Sequence, residues 1–221
     1  MFSYYGSKSK IVDLYPCPKH AKIIEPFAGS ARYSLKYFEH DVLLVDKYQV
    51  IVDVWHYLQQ ASEKDILGLP EPKYKESILD FNLSREEILL MGFMVAQGVA
   101  STQYIVQQFS DIPHEKRRIA GDLSKIRHWK IKLGDYRDAQ NETATWFIDP
   151  PYKVGGHKYR ESRVDYFNLG NWCKSRLGHI IVCENTKASW LPFVPIGNLR
   201  GAYTNTTEAM WCNDFEQLAL L

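Results

Sequence analysis

The feature that most constrains how this chain folds is a strand–turn–helix rhythm near its start. Lys22-Ile23-Ile24-Glu25 reads as a short buried strand and Pro26-Phe27-Ala28-Gly29-Ser30 as a tight turn. Residues Ala31 to His40 read as a helix. Val42-Leu43-Leu44-Val45 reads as a second strand ending at Asp46, and a further helix spans Gln49 to Gln60. Strands joined by a helix pair in parallel through right-handed crossovers, so the rhythm predicts an α/β fold.

The rhythm then stops. Residues 61–129 carry helical and loop patterns but no strand pattern, and read as a mostly helical insert. Ser84-Arg85-Glu86-Glu87 is a capping box that opens a helix expected to run past Met94, and Ile112-Pro113-His114 reads as a break before a charged helix. Strands resume at Trp129–Leu133, Thr143–Ile148 and His179–Cys183, and Thr206–Cys212 alternates like a terminal strand. The expected organisation is one α/β domain, residues 1–60 and 130–221, interrupted by the insert at 61–129.

Size and composition narrow the class. The 221 residues are 45% hydrophobic, enough for a full core. The four cysteines (Cys17, Cys173, Cys183, Cys212) form no Cys-x-x-Cys pair, which predicts neither a zinc motif nor a disulfide framework and suits a reducing compartment. No signal-peptide pattern or membrane-length apolar run is present, so a soluble intracellular protein with no membrane partner is expected. Net charge is only +1, but the basic residues cluster. Lys116, Arg117, Arg118, Lys125, Arg127, Lys130 and Lys132 share a stretch with one acid, Asp122, and Lys153, Lys158, Arg160 and Arg163 form a second group. Each reads either as a phosphate-binding surface or as a solvated face.

Asp149-Pro150-Pro151-Tyr152 follows the apolar run Trp146-Phe147-Ile148. A buried strand delivers these residues to a sheet edge, and the prolines stiffen the backbone there. The Asp149 carboxylate and the Pro150 carbonyl then form two fixed acceptors beside the Tyr152 ring. A planar base with an exocyclic NH2 offers two donors and a π face to such a site. Around the Gly29 turn, a ligand can approach backbone N–H groups at a helix N-terminus, although the Gly-x-Gly-x-x-Gly and Walker patterns are absent. Asp46, at a strand end, reads either as a ribose-binding carboxylate or as a helix cap. Asp135, after Leu133-Gly134, reads as an acceptor for an adenine amine or as a turn aspartate. Tyr4-Tyr5-Gly6-Ser7-Lys8 reads as a loop packing on a ligand or as a loose start.

In this order, the motifs resemble those of the Dam-like, α-group DNA adenine-N6 methyltransferases. The likeness spans nearly the whole chain and continues in Val182-Cys183-Glu184-Asn185 and Thr207-Glu208-Ala209-Met210. It implies a Rossmann-like, S-adenosylmethionine-dependent methyltransferase sheet with the insert as target-recognition region. Tyr4 and Lys8 match the N-terminal motif that contacts the cofactor. Glu25, Phe27, Ala28 and Gly29 match the loop around its methionine end. Asp46 matches the ribose-binding acid, and Asp135 with Tyr136 the pair that holds its adenine. Asp149, Pro150, Pro151 and Tyr152 match the catalytic motif, with Asp149 also bordering the cofactor. Ala31 departs from the pattern, which often has a second glycine there.

The resemblance implies methyl transfer to adenine N6 in double-stranded DNA, with the base flipped out of the helix and no metal required. Arg117, Arg118, Arg127 and Lys130, with Lys158 and Arg160, are the expected DNA contacts. A cytosine-N4 or RNA-base methyltransferase is the nearest alternative, and a non-catalytic nucleic-acid-binding protein on the same fold is the next.

Overall fold

The computed structural model describes residues 1–96, 98–200 and 205–214. Seven strands form one sheet: β1 Lys22–Glu25, β2 Asp41–Asp46, β3 Lys130–Leu133, β4 Ala144–Ile148, β5 Gly178–Asn185, β6 Val194–Arg200 and β7 Asn205–Cys212. Their order is β3-β2-β1-β4-β5-β7-β6, with β1 to β5 parallel and β7 antiparallel to both neighbours. Six α-helices accompany them: α1 Arg32–Lys36, α2 Gln49–Gln60, α3 Glu63–Gly68, α4 Arg85–Met94, α5 Ile112–Ile126 and α6 Tyr166–Lys174. This is an α/β, Rossmann-like fold with one antiparallel strand inserted near the sheet edge.

Side-chain alternation builds the layers. On β4, Ala144, Trp146 and Ile148 join Ile24, Val45, Ile180 and Val182 against Leu169 and Cys173 of α6. Phe147 faces the other way with Ile23, Val42, Leu44, Ile181 and Cys183, toward α1, α2 and α5. A central strand covered on both faces is therefore buried along its whole length. The second cluster also takes in Ile66, Ile78, Leu90 and Phe93 of residues 61–129, so the insert packs on the core of the sheet.

Strand order reverses between β1 and β4, whose outgoing loops diverge and open a crevice at the C-terminal sheet edge. Asp46 closes the loop after β1. Its carboxylate accepts from the Gly29 and Tyr48 amides, each at 2.9 Å, and Trp55 Nε1 donates to the Gly29 carbonyl at 2.9 Å. Gly29 has φ +46°, and a Cβ there would meet Tyr4 Cδ1 at 3.2 Å, so glycine is favoured.

Several element boundaries differ from the sequence reading. α1 ends at Lys36 rather than His40, because the aromatic-rich segment after it turns tightly at Tyr37–His40 into β2. α4 ends at Met94, where the returning chain packs on it: Gln103 N donates to Gly92 O, and a Cβ at Gly92 would lie 2.6 Å from Thr102 Cβ. Ile112-Pro113 is the first turn of α5 rather than a break, since proline is tolerated there and Asp111 caps the His114 amide. α6 and β6 carried no readable pattern. β6 contains Pro195 and Gly197, residues that mark an edge strand with a bulge, and its register shifts between them.

Ala31 occupies the α1 N-cap with φ +44° and ψ +48° and makes no side-chain cap. For an L-residue that conformation costs roughly 1–2 kcal/mol. Ala31→Gly should therefore leave stability unchanged or raise it by up to about 1 kcal/mol, although the same change in an ordinary helix costs about that much. Thermal unfolding checks this; a fall in Tm would contradict the strain.

Candidate active site

A cleft of about 870 Å³, counted to its open mouth, lies at the switch point. Its lining includes Tyr4, Lys8, Glu25, Phe27, Ala28, Gly29, Asp46, Asp135, Tyr136, Asp149 and Pro151, residues widely separated in the chain. Pro150 and Tyr152 stand behind that lining. Lys47, Tyr48, Tyr159 and Glu161 also border the cleft without having been singled out by any motif.

Asp149 leaves β4 at the centre of the sheet. Lys8 Nζ lies 2.7 Å from each of its oxygens and also donates to Gly6 O at 3.2 Å. Burial opposes the Lys8 charge, but the Asp149 and Glu208 carboxylates outweigh it and raise its pKa. Burial pushes the Asp149 carboxyl up to about 6 even with the ammonium against it. Behind this pair, Glu208 Oε1 on β7 accepts from Tyr15 Oη at 2.6 Å and from Tyr152 Oη, and lies 3.7 Å from Lys8 Nζ.

This arrangement anchors Tyr152. Its hydroxyl is tied to Glu208, and Lys8 Nζ sits 4.8 Å over its ring, so one face is already covered. The loop after Pro151 is braced from beneath. Glu184 accepts from Lys153 N at 2.7 Å and Trp190 Nε1 at 3.1 Å, Asn185 Nδ2 donates to Val154 O, and Tyr166 Oη to Pro151 O.

Glu25 is buried, and its Oε1 accepts from the Ser34 amide at 2.8 Å, capping α1 where Ala31 cannot. Burial pushes its carboxyl up to about 8. Burial likewise raises Asp46 to about 6, although backbone amides favour its charged form. The Gly29 turn keeps several of its amides occupied: the Ala28 amide is held by Val45 O, the Gly29 amide by Asp46 and the Ala31 amide by Ala28 O. Asp46 keeps lone pairs for a diol, since each carboxylate oxygen accepts two bonds.

Further along the wall, Phe27 stacks on Tyr136 at 5.4 Å and 24°. Asp135 opens a capping box, and its Oδ1 accepts from Arg137 N and Nε. Partial burial opposes ionisation there, but the Arg137 bonds prevail and hold the carboxyl below its usual range. Its Oδ2 lies 4.0 Å from Lys47 Nζ. An aromatic slab beside an ionised acceptor is a fitting seat for an adenine ring.

The buried acids set a stability trend. A carboxyl with a higher pKa folded than unfolded binds more protons when folded. The stability Glu25 contributes is complete below its unfolded value of 4.5 and is lost as pH rises through about 8. The buried Met1 amine, held down to about 5, contributes in the opposite sense over the same range. Glu25→Gln should therefore make the denaturant midpoint rise more, or fall less, between pH 5 and 8 than it does in the native protein.

The expected DNA contacts divide. Arg127 bonds the Leu58, Gln59 and Ala61 carbonyls at the end of α2, which commits it to helix capping. Arg118 bonds Ser3 and Glu115. Lys130 begins β3, at the sheet end opposite the cleft, 3.8 Å from Asp41. Arg117 is exposed on α5. Lys158 and Arg160 are exposed in the loop that borders the cleft, with Lys158 Nζ 5.4 Å over the Tyr5 ring.

Together, a sheet of this order and an acid-lined crevice at its switch point define a Rossmann-like α/β protein with a candidate ligand site at the usual place. No family model matches the chain, and no curated protein matches it. Among solved structures it is similar to the "Putative methyltransferase yhhF" of Escherichia coli, at TM-score 0.35 and 10% identity over 86% of this chain and 74% of that one. It is similar also to a conserved hypothetical protein of Streptococcus pyogenes, at TM-score 0.35 and 10% identity over 86% and 84%. No helix among the described residues is long and apolar enough to cross a membrane.

Proposed function

We propose that this protein transfers a methyl group from S-adenosylmethionine to the N6 amine of adenine in DNA. The observation that carries the reading is Asp149, a half-buried carboxylate leaving β4 at the switch point, on the wall of the cleft that also holds Asp46 and Asp135. In this reading Asp46 takes the ribose hydroxyls, Asp135 and Tyr136 the adenine, and Phe27, Ala28 and Gly29 border the methionine end. The cofactor supplies an electrophilic methyl group on a sulfonium.

The chain's own part is to prepare the nucleophile. An aromatic amine delocalises its lone pair into the ring. Acceptors at Asp149 and the Pro150 carbonyl draw on the two N–H bonds, localise the lone pair on nitrogen and hold it in line. Asp149 then takes the proton that the methylated nitrogen sheds. Lys8 occupies one lone pair on each Asp149 oxygen, leaving others for the amine, and its fixed charge keeps the carboxylate ionised. The target base must leave the duplex to reach this depth, and Glu184, Asn185 and Tyr166 keep the loop it enters from collapsing.

Two assays test the reading. Calorimetry should detect S-adenosylmethionine binding; none would point to a non-catalytic protein. Labelled methyl transfer to DNA and RNA, followed by base analysis, should yield N6-methyladenine from DNA. Label in N4-methylcytosine or only in RNA would transfer the same chemistry to another amine.

Phosphate contacts should come from the loop beside the cleft. Lys158→Ala and Arg160→Ala should weaken DNA binding and reduce the slope of log K against log salt by about 0.9 for each lost contact, whereas Lys130→Ala should change neither.

A further inference from the structure

The opposite end of the sheet carries a second cluster, remote from the cleft. Cys212 at the end of β7, His179 at the start of β5 and Asp214 just beyond β7 converge there. His179 Nε2 lies 3.1 Å from Asp214 Oδ2 and 3.4 Å from Cys212 Sγ, and Sγ lies 3.7 Å from the same Oδ2. His179 and Cys212 are each 1% exposed. From His179 to Glu184, at the cleft end of β5, the strand runs roughly 17 Å at 3.3 Å per residue.

We propose that His179, Cys212 and Asp214 bind a borderline-soft divalent cation, Zn2+ by preference. Three geometric facts argue for it. First, the donors form a triangle of the right size. Tetrahedral zinc with nitrogen and oxygen at about 2.0–2.2 Å and sulfur at about 2.3 Å sets its ligand atoms roughly 3.3–3.7 Å apart. Second, the thiol and the carboxylate meet the same ring nitrogen. A nucleophilic Cys–His–Asp relay needs its acid on the other nitrogen, and Nδ1 has no partner among the described residues. One Nε2–H serves one acceptor well, whereas a cation at the centre serves all three donors. Third, the segment is held in place: Asn213 Oδ1 accepts from Ile180 N and its Nδ2 donates to Gly178 O, each at 2.9 Å.

A cation already meets this carboxylate, since Lys19 Nζ lies 2.7 Å from Asp214 Oδ2. The Lys19 side chain is 57% exposed and can turn to solvent. His20 stands nearby, its Nε2 3.0 Å from where a Cβ at Gly178 would lie. On binding, the Cys212 thiol loses its proton to solvent, a Zn–S bond forms, His179 ligates as neutral imidazole, and water fills the fourth position. The ion would clip the end of β7 to the start of β5, a structural site independent of methyl transfer.

Co2+ is the probe, added to tag-free, reduced protein. The native chain should develop a thiolate-to-cobalt band in the near ultraviolet, with visible bands of a four-coordinate ion, saturating at one equivalent and bleached by Zn2+. Cys212→Ser and His179→Gln should lose the band, and Cys17→Ser should keep it. No band at millimolar Co2+, or one that survives Cys212→Ser, overturns the site. The unmodified protein gives a second reading should a variant fail to fold. X-ray absorption of the Zn2+-loaded chain should require one sulfur at about 2.3 Å with nitrogen and oxygen at about 2.0–2.2 Å, and a sulfur-free shell overturns it.

Discussion

Asp149→Ala should lower the rate of methyl transfer by about 10²–10⁴-fold while leaving S-adenosylmethionine binding measurable, because a positioned proton acceptor typically contributes that much to the chemical step. The same change has a second consequence. It strips Lys8 of the carboxylate that lies 2.7 Å from its buried ammonium and leaves only Glu208, at 3.7 Å. Breaking one side of a buried ion pair costs about 3–5 kcal/mol when nothing else compensates, so the variant should also unfold at lower denaturant. The two losses separate in Lys8→Met/Asp149→Ala. There the uncompensated charge is gone, and Glu208 keeps its bonds from Tyr15 and Tyr152. Denaturant midpoints should recover most of the stability, while single-turnover methyl transfer stays at the level of Asp149→Ala. Recovery of both would make Asp149 a structural partner of Lys8 and refute its catalytic role. In the native protein, activity should decline as pH falls below about 6, where Asp149 takes up a proton.

How much of this was readable from the chain alone depended on how local the signal was. β1 and α2 are found at their expected bounds, because the apolar run of Lys22–Glu25 and the helical spacing of Gln49–Gln60 are complete within themselves. The acids of the site were legible for the same reason: Glu25, Asp46, Asp135 and Asp149 each lie at or just past a strand end, and a parallel sheet gathers such ends on one edge. What periodicity cannot reveal is which side chain meets which across the fold. The Lys8–Asp149 pair spans 141 positions, and Tyr152 finds Glu208 across 56. Those two pairings turn Tyr152 from an open platform into a half-covered, anchored ring. The packing uses of the basic run before β3 could not be read from charge alone. Arg127 spends its guanidinium on the carbonyls that end α2, a use that only the packing of α5 beside α2 discloses. The His179, Cys212 and Asp214 cluster was invisible for a related reason. It has no Cys-x-x-Cys spacing, since its members are drawn together by the antiparallel pairing of β5 with β7.

Asp46→Ala should weaken S-adenosylmethionine binding by at least about 100-fold, because a carboxylate gripping two ribose hydroxyls makes two charge-assisted bonds worth about 1.5–3 kcal/mol each. It should also destabilise the ligand-free protein, since the Gly29 and Tyr48 amides lose their shared acceptor and an unsatisfied buried amide costs about 1–3 kcal/mol. Loss of affinity could then come from the ribose contact or from a slackened Gly29 turn, and a cofactor analogue lacking one ribose hydroxyl separates them. Native protein should bind that analogue more weakly than the cofactor itself, whereas Asp46→Ala should hardly discriminate the two, the signature of a lost pairwise contact. Equal discrimination in both proteins would make Asp46 an anchor of the turn alone. Asp46→Asn should fall between native and alanine, since its single carbonyl oxygen satisfies one amide and sets an NH2 against the other. Burial pushes the native carboxyl up to about 6, so affinity measured by calorimetry should drop as pH falls through that value and stay flat in Asp46→Ala. That flat profile places the titration on one named oxygen pair, the one that ties the end of β2 to the Gly29 turn and faces the cleft.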